Sequence, residues 1–453
     1  LLQSLSEIVM SRTFSHRRNW LCATGLALTA GYSTFATERP PVTVPRATSG
    51  DAASEPDWEE RLTITVGPKE ADIVGATNRA LQAAVDYVAR LGGGTVKVLP
   101  GEYRLRNSVF LASKVRIVGS GEDSVLIKEP SATVKLSADS DWYDQEITLA
   151  EDAGFRIGDG VCLRTKNPHN GGQEVLKRTL VARSGKRFKL DRALRQNFWQ
   201  LGESTASSLF PILSGEEIGD FAIENIVLDG NRAKNANLDG NYAGCIFLQD
   251  CNRGTIRGVT ARHYNGDGIS WQICHDMQVT DCHSHGHAGL GLHPGSGSQR
   301  PVMKGNRLED NDIGIFFCWG VKYGLAEGNK IRNCRLGVSI GHRDTDNLVA
   351  DNDIADSGQS GVLFRPERGA GFCGHRNRIE KNRITNSGGE AGIGIDVQGG
   401  TESITLQSNE IRELREPMNR TGIRLGKETK QITLAENKIE GVKVSVDDQR
   451  AVR

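Results

Sequence analysis

The chain carries no net charge: 56 Lys and Arg balance 56 Asp and Glu over 453 residues. That balance removes the global field that draws proteins to nucleic acid or to acidic membrane surfaces. Hydrophobic residues are scarce at 37%, while glycines number 53. A compact globule needs more apolar surface, whereas a thin, turn-rich coil does not. Nine cysteines show no Cys-x-x-Cys spacing, which argues against zinc. No motif for thiol chemistry or nucleotide binding occurs. Beyond roughly the first 40 residues no apolar run is long enough to span a bilayer, so a soluble processed protein without a membrane span is expected. Nothing in the sequence sets an oligomeric state. The length would hold two or three ordinary domains, but a solenoid uses it as one body.

What is present is a repeat. Between about Phe221 and Val446 the pattern Asn, any residue, then Ile or Leu recurs six times, at Asn306, Asn329, Asn352, Asn382, Asn409 and Asn437. Gly-aliphatic-x-apolar tetrads accompany it, beginning at Gly268, Gly289, Gly314, Gly337, Gly361, Gly392 and Gly422. Tetrads recur every 21 to 25 residues, or about 30 where a loop intervenes. Such a period marks a solenoid, and period-two alternation inside each tetrad marks strands rather than helices. Each unit has room for two or three short strands, one coil of a parallel β-helix. The Asn is expected at a left-handed turn position, stacked on its equivalents from coil to coil. The first aliphatic and the fourth residue of each tetrad should face inward. Ile315, Ile340 and Ile393 then belong to the core, and Ser270 and Ser339 face outward, tolerant of change.

These turns, Gly-aliphatic strands and this period resemble the right-handed parallel β-helix proteins of the pectate lyase superfamily. Upstream, Ala80–Val85 followed by Gly92-Gly93-Gly94-Thr95-Val96-Lys97-Val98-Leu99-Pro100-Gly101-Glu102-Tyr103 looks like that superfamily's opening segment. The resemblance spans roughly residues 70 to 446. It implies a polysaccharide as partner and leaves the reaction open, because the fold hosts many. Gly266-Asp267-Gly268 is a faint piece of the polygalacturonase-like acidic set, but Gly286-His287-Ala288 and a missing paired Asp depart from that pattern. The calcium-dependent lyases' binding motif is not recognisable either. No catalytic residue is carried over.

The expected fold is all-β: a right-handed parallel β-helix solenoid with an N-terminal capping helix and a small inserted β subdomain. Residues 1–37 have the pattern of a twin-arginine-like export signal, with a general secretory signal as alternative. Arg17-Arg18 precede an apolar run from Cys22 to Ala30 and a Thr34-Phe35-Ala36 cleavage site. Export to the periplasm or beyond is the expectation. The stretch before Met10 lacks signal character, as a start placed too far upstream would. Residues 38–60 read as a linker. Residues 61–136 hold the first coils and a helix whose stripe, Ala80, Leu81, Ala84, Val85, Val88 and Leu91, covers the solenoid's open end. Residues 137–210 read as an antiparallel insertion, with Phe198-Trp199 either in its core or along a groove. Residues 211–453 form the repeat array. Cys251 and Cys274 fall at matching points of neighbouring coils, as a disulfide or a ladder of thiols.

Candidate chemistry lies on the outward face. The residues following the tetrads form an expected column of Gln249, Gln272, His293, Cys318, Gly341, Arg365, Asp396 and Gly426, with coils about 4.8 Å apart. His293, Trp319, His342, Arg343, Asp344, Arg365 and Glu367 then come from four successive coils, over roughly 15–20 Å. For β-elimination on an acidic polysaccharide, His293 or His342 serves as base, with Arg343 and Arg365 on the carboxylate and Trp319 as a sugar platform. For hydrolysis, Asp344 pairs with Glu367 or Asp396. Against both stands a bland reading, in which a polar outward face is merely solvated and its ion pairs are worth little. A non-catalytic glycan-binding or surface β-helix is the third alternative. The Pro294–Pro301 loop is expected to wall the cleft. His283, His285 and His287 alternate along one strand, where a metal set would sit on one face, yet turn histidines usually bind nothing; no metal is assigned. No cofactor is firmly implied; calcium would fall to Asp344 and Asp346 without a supporting loop motif.

Overall fold

The computed structural model describes residues 60–366, 370–416 and 419–450. The export-signal segment, nearly all of the linker, and Glu367 lie outside the described residues. From Thr255 onward each coil contributes three short strands, as in Ile313–Phe316, Leu325–Glu327 and Lys330–Arg332. All pair in parallel with their equivalents one coil away. One sheet collects the tetrad strands from Val109–Phe110 to Val444–Asp448; the other two strands of every coil form two ladders of a second, larger sheet. Three aliphatic stacks fill the interior. The tetrads supply Ile269, Leu292, Ile315, Val338 and Val362, while Ile331, Ile354 and Ile384 line the third strand, all fully enclosed. Ile340 is enclosed too and Ile393 nearly so.

The tetrad glycine is set by close backbone approach. A Cβ at Gly314 would lie 2.6 Å from the Gly337 carbonyl, and one at Gly337 2.4 Å from the Gly361 carbonyl. Neighbouring coils leave no room for a side chain there.

The repeated asparagines stack as expected but in a different conformation. Asn306, Asn329, Asn352, Asn382 and Asn409 are buried. From Asn329 on, each side-chain carbonyl accepts the backbone N–H and the amide N–H of the preceding coil's Asn, as Asn352 does from Asn329 at 2.9 and 2.8 Å, while that of Asn306 accepts the Cys282 N–H at 3.0 Å. The left-handed residue is the one before: Gly305, Gly328, Asp351, Lys381, Ser408 and Glu436, with φ between 54° and 68°. That residue bends the chain between the two strands. The Asn then points inward, where it must be both donor and acceptor along the stack.

The helix Asn78–Arg90 buries Leu81, Ala84, Val85 and Val88 against the first coils. It ends at three glycines, of which Gly93 (φ 115°) passes so close to Lys114 that a Cβ would meet its carbonyl at 2.5 Å. The insertion is a six-stranded antiparallel sheet running from Thr133–Lys135 to Thr205–Ser207, with its own core around Val134, Phe188 and Phe198. Phe198 is fully enclosed, whereas Trp199 is half-buried, its Nε1–H donating to Asp141 at 2.7 Å. Cys251 and Cys274 are free thiols stacked in adjacent coils, with the Cys251 N–H 3.4 Å from the Cys274 sulfur.

Candidate functional site

Strand register divides the expected column in two. Ile269 pairs with Leu292, and Leu292 with Ile315, so His293 stands beside Ser270 and Phe316. Asp396 likewise stands between Leu363 and Arg424. This first column runs Phe247, Ser270, His293, Phe316, Ser339, Leu363, Asp396, Arg424. The second, two residues further along each strand, runs Gln249, Gln272, Gly295, Cys318 and then Gly341 and Arg365. His293 and Asp396 therefore lie one column away from Cys318 and Arg365. Both columns face outward, but they are not bare. Ser270 and Ser339 are fully enclosed, Gln272 is 6% exposed and Arg365 6%. The expectation of tolerant outward serines fails for this reason: Ser270 donates to the Gly240 carbonyl at 2.7 Å, and Ser339 accepts from Arg365 at 2.8 Å.

His293 has a partner from the preceding coil. Its Nδ1 lies 2.8 Å from Asp267 Oδ2 and 3.4 Å from the Ser270 hydroxyl. The other Asp267 oxygen accepts the Leu290 N–H at 2.9 Å, and the Asp267 and His293 side chains are each 4% exposed. A carboxylate only accepts, so it fixes the proton on Nδ1 and leaves the Nε2 lone pair of a neutral ring unprotonated. His293 Nε2 has no hydrogen-bond partner among the described residues, although it is enclosed. An unsatisfied buried polar atom costs about 1–3 kcal/mol and calls for a reason. The stretch around Gly240 covers one side of this pair; a Cβ there would overlap the Asp267 carboxylate. Phe316, half-buried, covers the other side, its ring 5.4 Å from that of His293.

Across Phe316 lies a second cluster. The Arg365 guanidinium sits 4.5 Å over the Phe316 ring. It donates to Ser339, to the Phe317 carbonyl at 2.8 Å and to Asp344 at 3.2 Å, and approaches His342 Nδ1 at 3.4 Å. Arg365 is thus built into the wall rather than free to grip a ligand. Because a guanidinium only donates, His342 Nδ1 is the acceptor and its Nε2 carries the proton. Asp344 is fully enclosed and accepts the N–H groups of Gly320, Val321 and Gly341 at 2.9–3.0 Å. Burial pushes its carboxyl up to about 6, against the pull of Arg365 and those backbone groups. Its task is to hold the turn. Trp319 and Arg343 are the exposed members. The Trp319 ring lies 4.9 Å from that of His342, and the Arg343 guanidinium 4.8 Å over Phe372. Trp319, His342 and Arg343 all have left-handed backbones (φ 69°, 51°, 69°), on turns that leave the strands.

Other expected groups do not converge here. Asp396 is four coils from His293, about 19 Å at this stacking, and is held by Arg424 and Gln398. Asp346 pairs bidentately with Arg376 at 2.8 and 2.9 Å, so it does not join Asp344 around a cation. His283 and His285 stack at 4.1 Å on the outer face of the other sheet, but His287 turns inward after Gly286. There its Nδ1 accepts the Tyr264 N–H and its Nε2 faces the Ala261 carbonyl, and burial lowers it to about 3. The three histidines do not share a face, and no metal-binding cluster occurs among the described residues. The Pro294–Pro301 segment is an ordinary solenoid turn, not a wall: its N–H groups at Ser296 and Gly297 bond the next coil at Cys318 and Trp319. Sequence reasoning missed Asp267 as the partner of His293. The doubled glycine Gly289-Leu290-Gly291 signals the column of His293: choosing Gly291 makes the spacing Gly268, Gly291, Gly314, Gly337 a uniform 23 residues.

Comparison with known proteins fits this geometry. A family model described as a right handed beta helix region matches residues 224–366. The chain is a right-handed parallel β-helix protein. Among solved structures, the A-module of mannuronan C-5 epimerase AlgE4 from Azotobacter vinelandii is 17% identical, with 85% of this chain and 100% of that one covered and a TM-score of 0.51. ORF18 of Geobacillus virus E2 is 11% identical, covering 83% and 62%, with a TM-score of 0.51. The Streptococcus pneumoniae surface adhesin PfbA is 13% identical, covering 82% and 87%, with a TM-score of 0.48. At these identities the likeness is one of fold. No curated protein matches the sequence. Among the described residues no helix is long and apolar enough to cross a membrane.

Proposed function

We propose that this protein is an exported carbohydrate-active enzyme that cleaves an acidic polysaccharide by β-elimination, with His293 as the base. The Asp267–His293 pair carries the reading. A buried carboxylate fixes the imidazole tautomer so that Nε2 accepts a proton, the arrangement a general base needs. For substrate to reach Nε2, Phe316 or the Gly240 stretch has to move aside. Trp319 offers a flat apolar platform for a sugar ring, and Arg343 is the exposed cation for its carboxylate. His342, with its proton on Nε2, donates to the developing enediolate, and Arg365 positions it. Hydrolysis needs two available carboxyl groups at a set separation. Asp344 is enclosed and Asp396 is locked to Arg424, so that alternative rests on Glu367. A purely glycan-binding surface would use Trp319 and Arg343 but has no need of an oriented histidine. AlgE4, similar in fold, is named as an epimerase of mannuronan at C-5. That is the sugar carbon beside the carboxylate, where elimination also begins.

A screen over pectate, alginate, glycosaminoglycans and neutral glycans, reading both reducing ends and the ultraviolet absorbance of an unsaturated product end, tests this. His293→Gln and Asp267→Asn should each lower kcat/KM by at least about a hundredfold, the scale of a lost general base, while the melting temperature stays near that of the wild type. Reducing ends without the absorbance would refute elimination and favour the hydrolase. Full activity in His293→Gln would remove the base from this site.

A further inference from the structure

The first outward column does not stop at Ser270. It continues through Phe247, Ser214 and Phe110 under the inserted sheet. There the insertion and the first coils border a solvent-open cavity of about 350 Å³. That is the low end for small-ligand sites, about 300–1,000 Å³, and suits one or two sugar rings rather than a running chain. Phe247, on its floor, is two coils from His293, about 10 Å at this stacking.

The cavity is cationic on its insertion side. Lys177 Nζ sits 3.8 Å over the Phe247 ring and makes no ion pair among the described residues, although Glu216, also on the lining, acts on it through space. The Arg178 guanidinium is held only by carbonyls, those of Lys177, Arg192, Ala193 and Leu194. It is therefore rigid and its charge is uncompensated by direct contact. Asp191, also on the lining, is occupied by the Thr179 N–H at 2.8 Å and by Arg192. Burial lowers Lys177 to about 8, which an anionic guest would reverse. One short stretch joins the cavity to the dyad. Asn241 and Tyr242 line the cavity, while adjacent Gly240 accepts from Ser270 and abuts Asp267.

We propose that this cavity is a subsite for the terminal, carboxylated residue of the glycan, so that cleavage proceeds from a chain end. The proposal rests on the acidic-polysaccharide reading above, but its test does not require turnover. Equilibrium binding of galacturonate, mannuronate and glucuronate-containing trisaccharides is measured on the full chain, wild type and variants. At least one trimer should bind the wild type and bind Lys177→Gln at least tenfold more weakly, with Lys177→Arg restoring affinity. The carboxyl-reduced form of that trimer should bind the wild type at least tenfold more weakly, a comparison that needs no variant to fold. Absence of binding by any trimer, equal binding to Lys177→Gln, or equal binding of the reduced trimer would overturn the subsite. Lys177-dependent binding without turnover of any polymer sinks the lyase reading and leaves the subsite standing. Turnover by random internal cuts, with binding indifferent to Lys177, sinks the subsite alone.

Discussion

Removing one asparagine from the middle of the stack should cost far more than removing one at its end. The Asn352 side chain is 1% exposed and makes four hydrogen bonds. Its carbonyl accepts from the Asn329 backbone and amide, and its amide donates to the Ala326 carbonyl and the Asn382 carbonyl at 2.9 Å. At about 1 kcal/mol net for each bond, with the Asn329 N–H left unsatisfied in the interior, Asn352→Ala should cost about 3–5 kcal/mol. Asn352→Asp should cost at least as much, because it sets an acceptor against two carbonyl oxygens. Asn437 ends the stack half-buried. There the same truncation should cost about 1–2 kcal/mol, since water can replace what is lost. Urea unfolding followed by circular dichroism measures the difference, with the slope checked for constancy. A loss below about 1 kcal/mol at Asn352, or equal losses at both positions, would refute the view that the stack holds the coils together.

Three further outcomes follow from the same structure. Arg365→Ala should cost about 3–5 kcal/mol, because it strands the enclosed Asp344 carboxylate, whereas Arg383→Ala, at an exposed pair with Asp353, should stay within about 0.5 kcal/mol in the same titration. Lys128 is buried, donates to the Phe210 carbonyl and is lowered by burial to about 7. The unfolded chain then holds an extra proton from about pH 7 to 10.5, so stability should rise with pH across that window. Lys128→Met should flatten the rise, since the Tyr264 hydroxyl still serves the Phe210 carbonyl. His287, lowered to about 3, binds its proton only in the unfolded chain between pH 6.5 and 3, so stability should fall on acidification by up to about 1.4 kcal/mol per pH unit. His287→Gln should lose that part of the slope, and an unchanged slope would contradict it.

The fold was legible because its determinants are local and repeated. Each Ile of an Asn-x-Ile turn and each tetrad aliphatic meets its own equivalent one coil away, so periodicity alone identifies the core. The Asn conformation was not legible. An isolated Asn suits the left-handed region, but the stack needs its amide inside, and Asp351 or Lys381 takes the strained position instead. The site was legible in part. Trp319, His342 and Arg343 do gather on one face with Arg365. His293 falls one column away from its expected place because Gly289-Leu290-Gly291 offers two frames, and only uniform spacing chooses between them. The pairing of Asp267 with His293 was not legible because it joins different points of successive strands, which no single-column pattern contains.

Burial, rather than residue type, sets the ion pairs of this face apart from most of those on the outer surface of the other sheet, although Glu413–Arg420, at the turn before Thr421, is withdrawn as well. The outer surface of the other sheet is also rich in charge, with Arg307–Glu309, Arg378–Glu380 and Arg383–Asp353 pairs, yet each of those arginines is more than half exposed. Such pairs are screened and worth little. On the tetrad face, Asp267–His293 and Arg365–Asp344 are withdrawn from water almost completely. Taking charges out of water is expensive unless their partners are well placed, and hydrophobic residues of similar size would serve stability as well. A β-helix needs none of this to stack its coils, since the Asn and aliphatic ladders in the interior do so. The polar layer under Phe316 is the part of that face on which the proposed elimination rests.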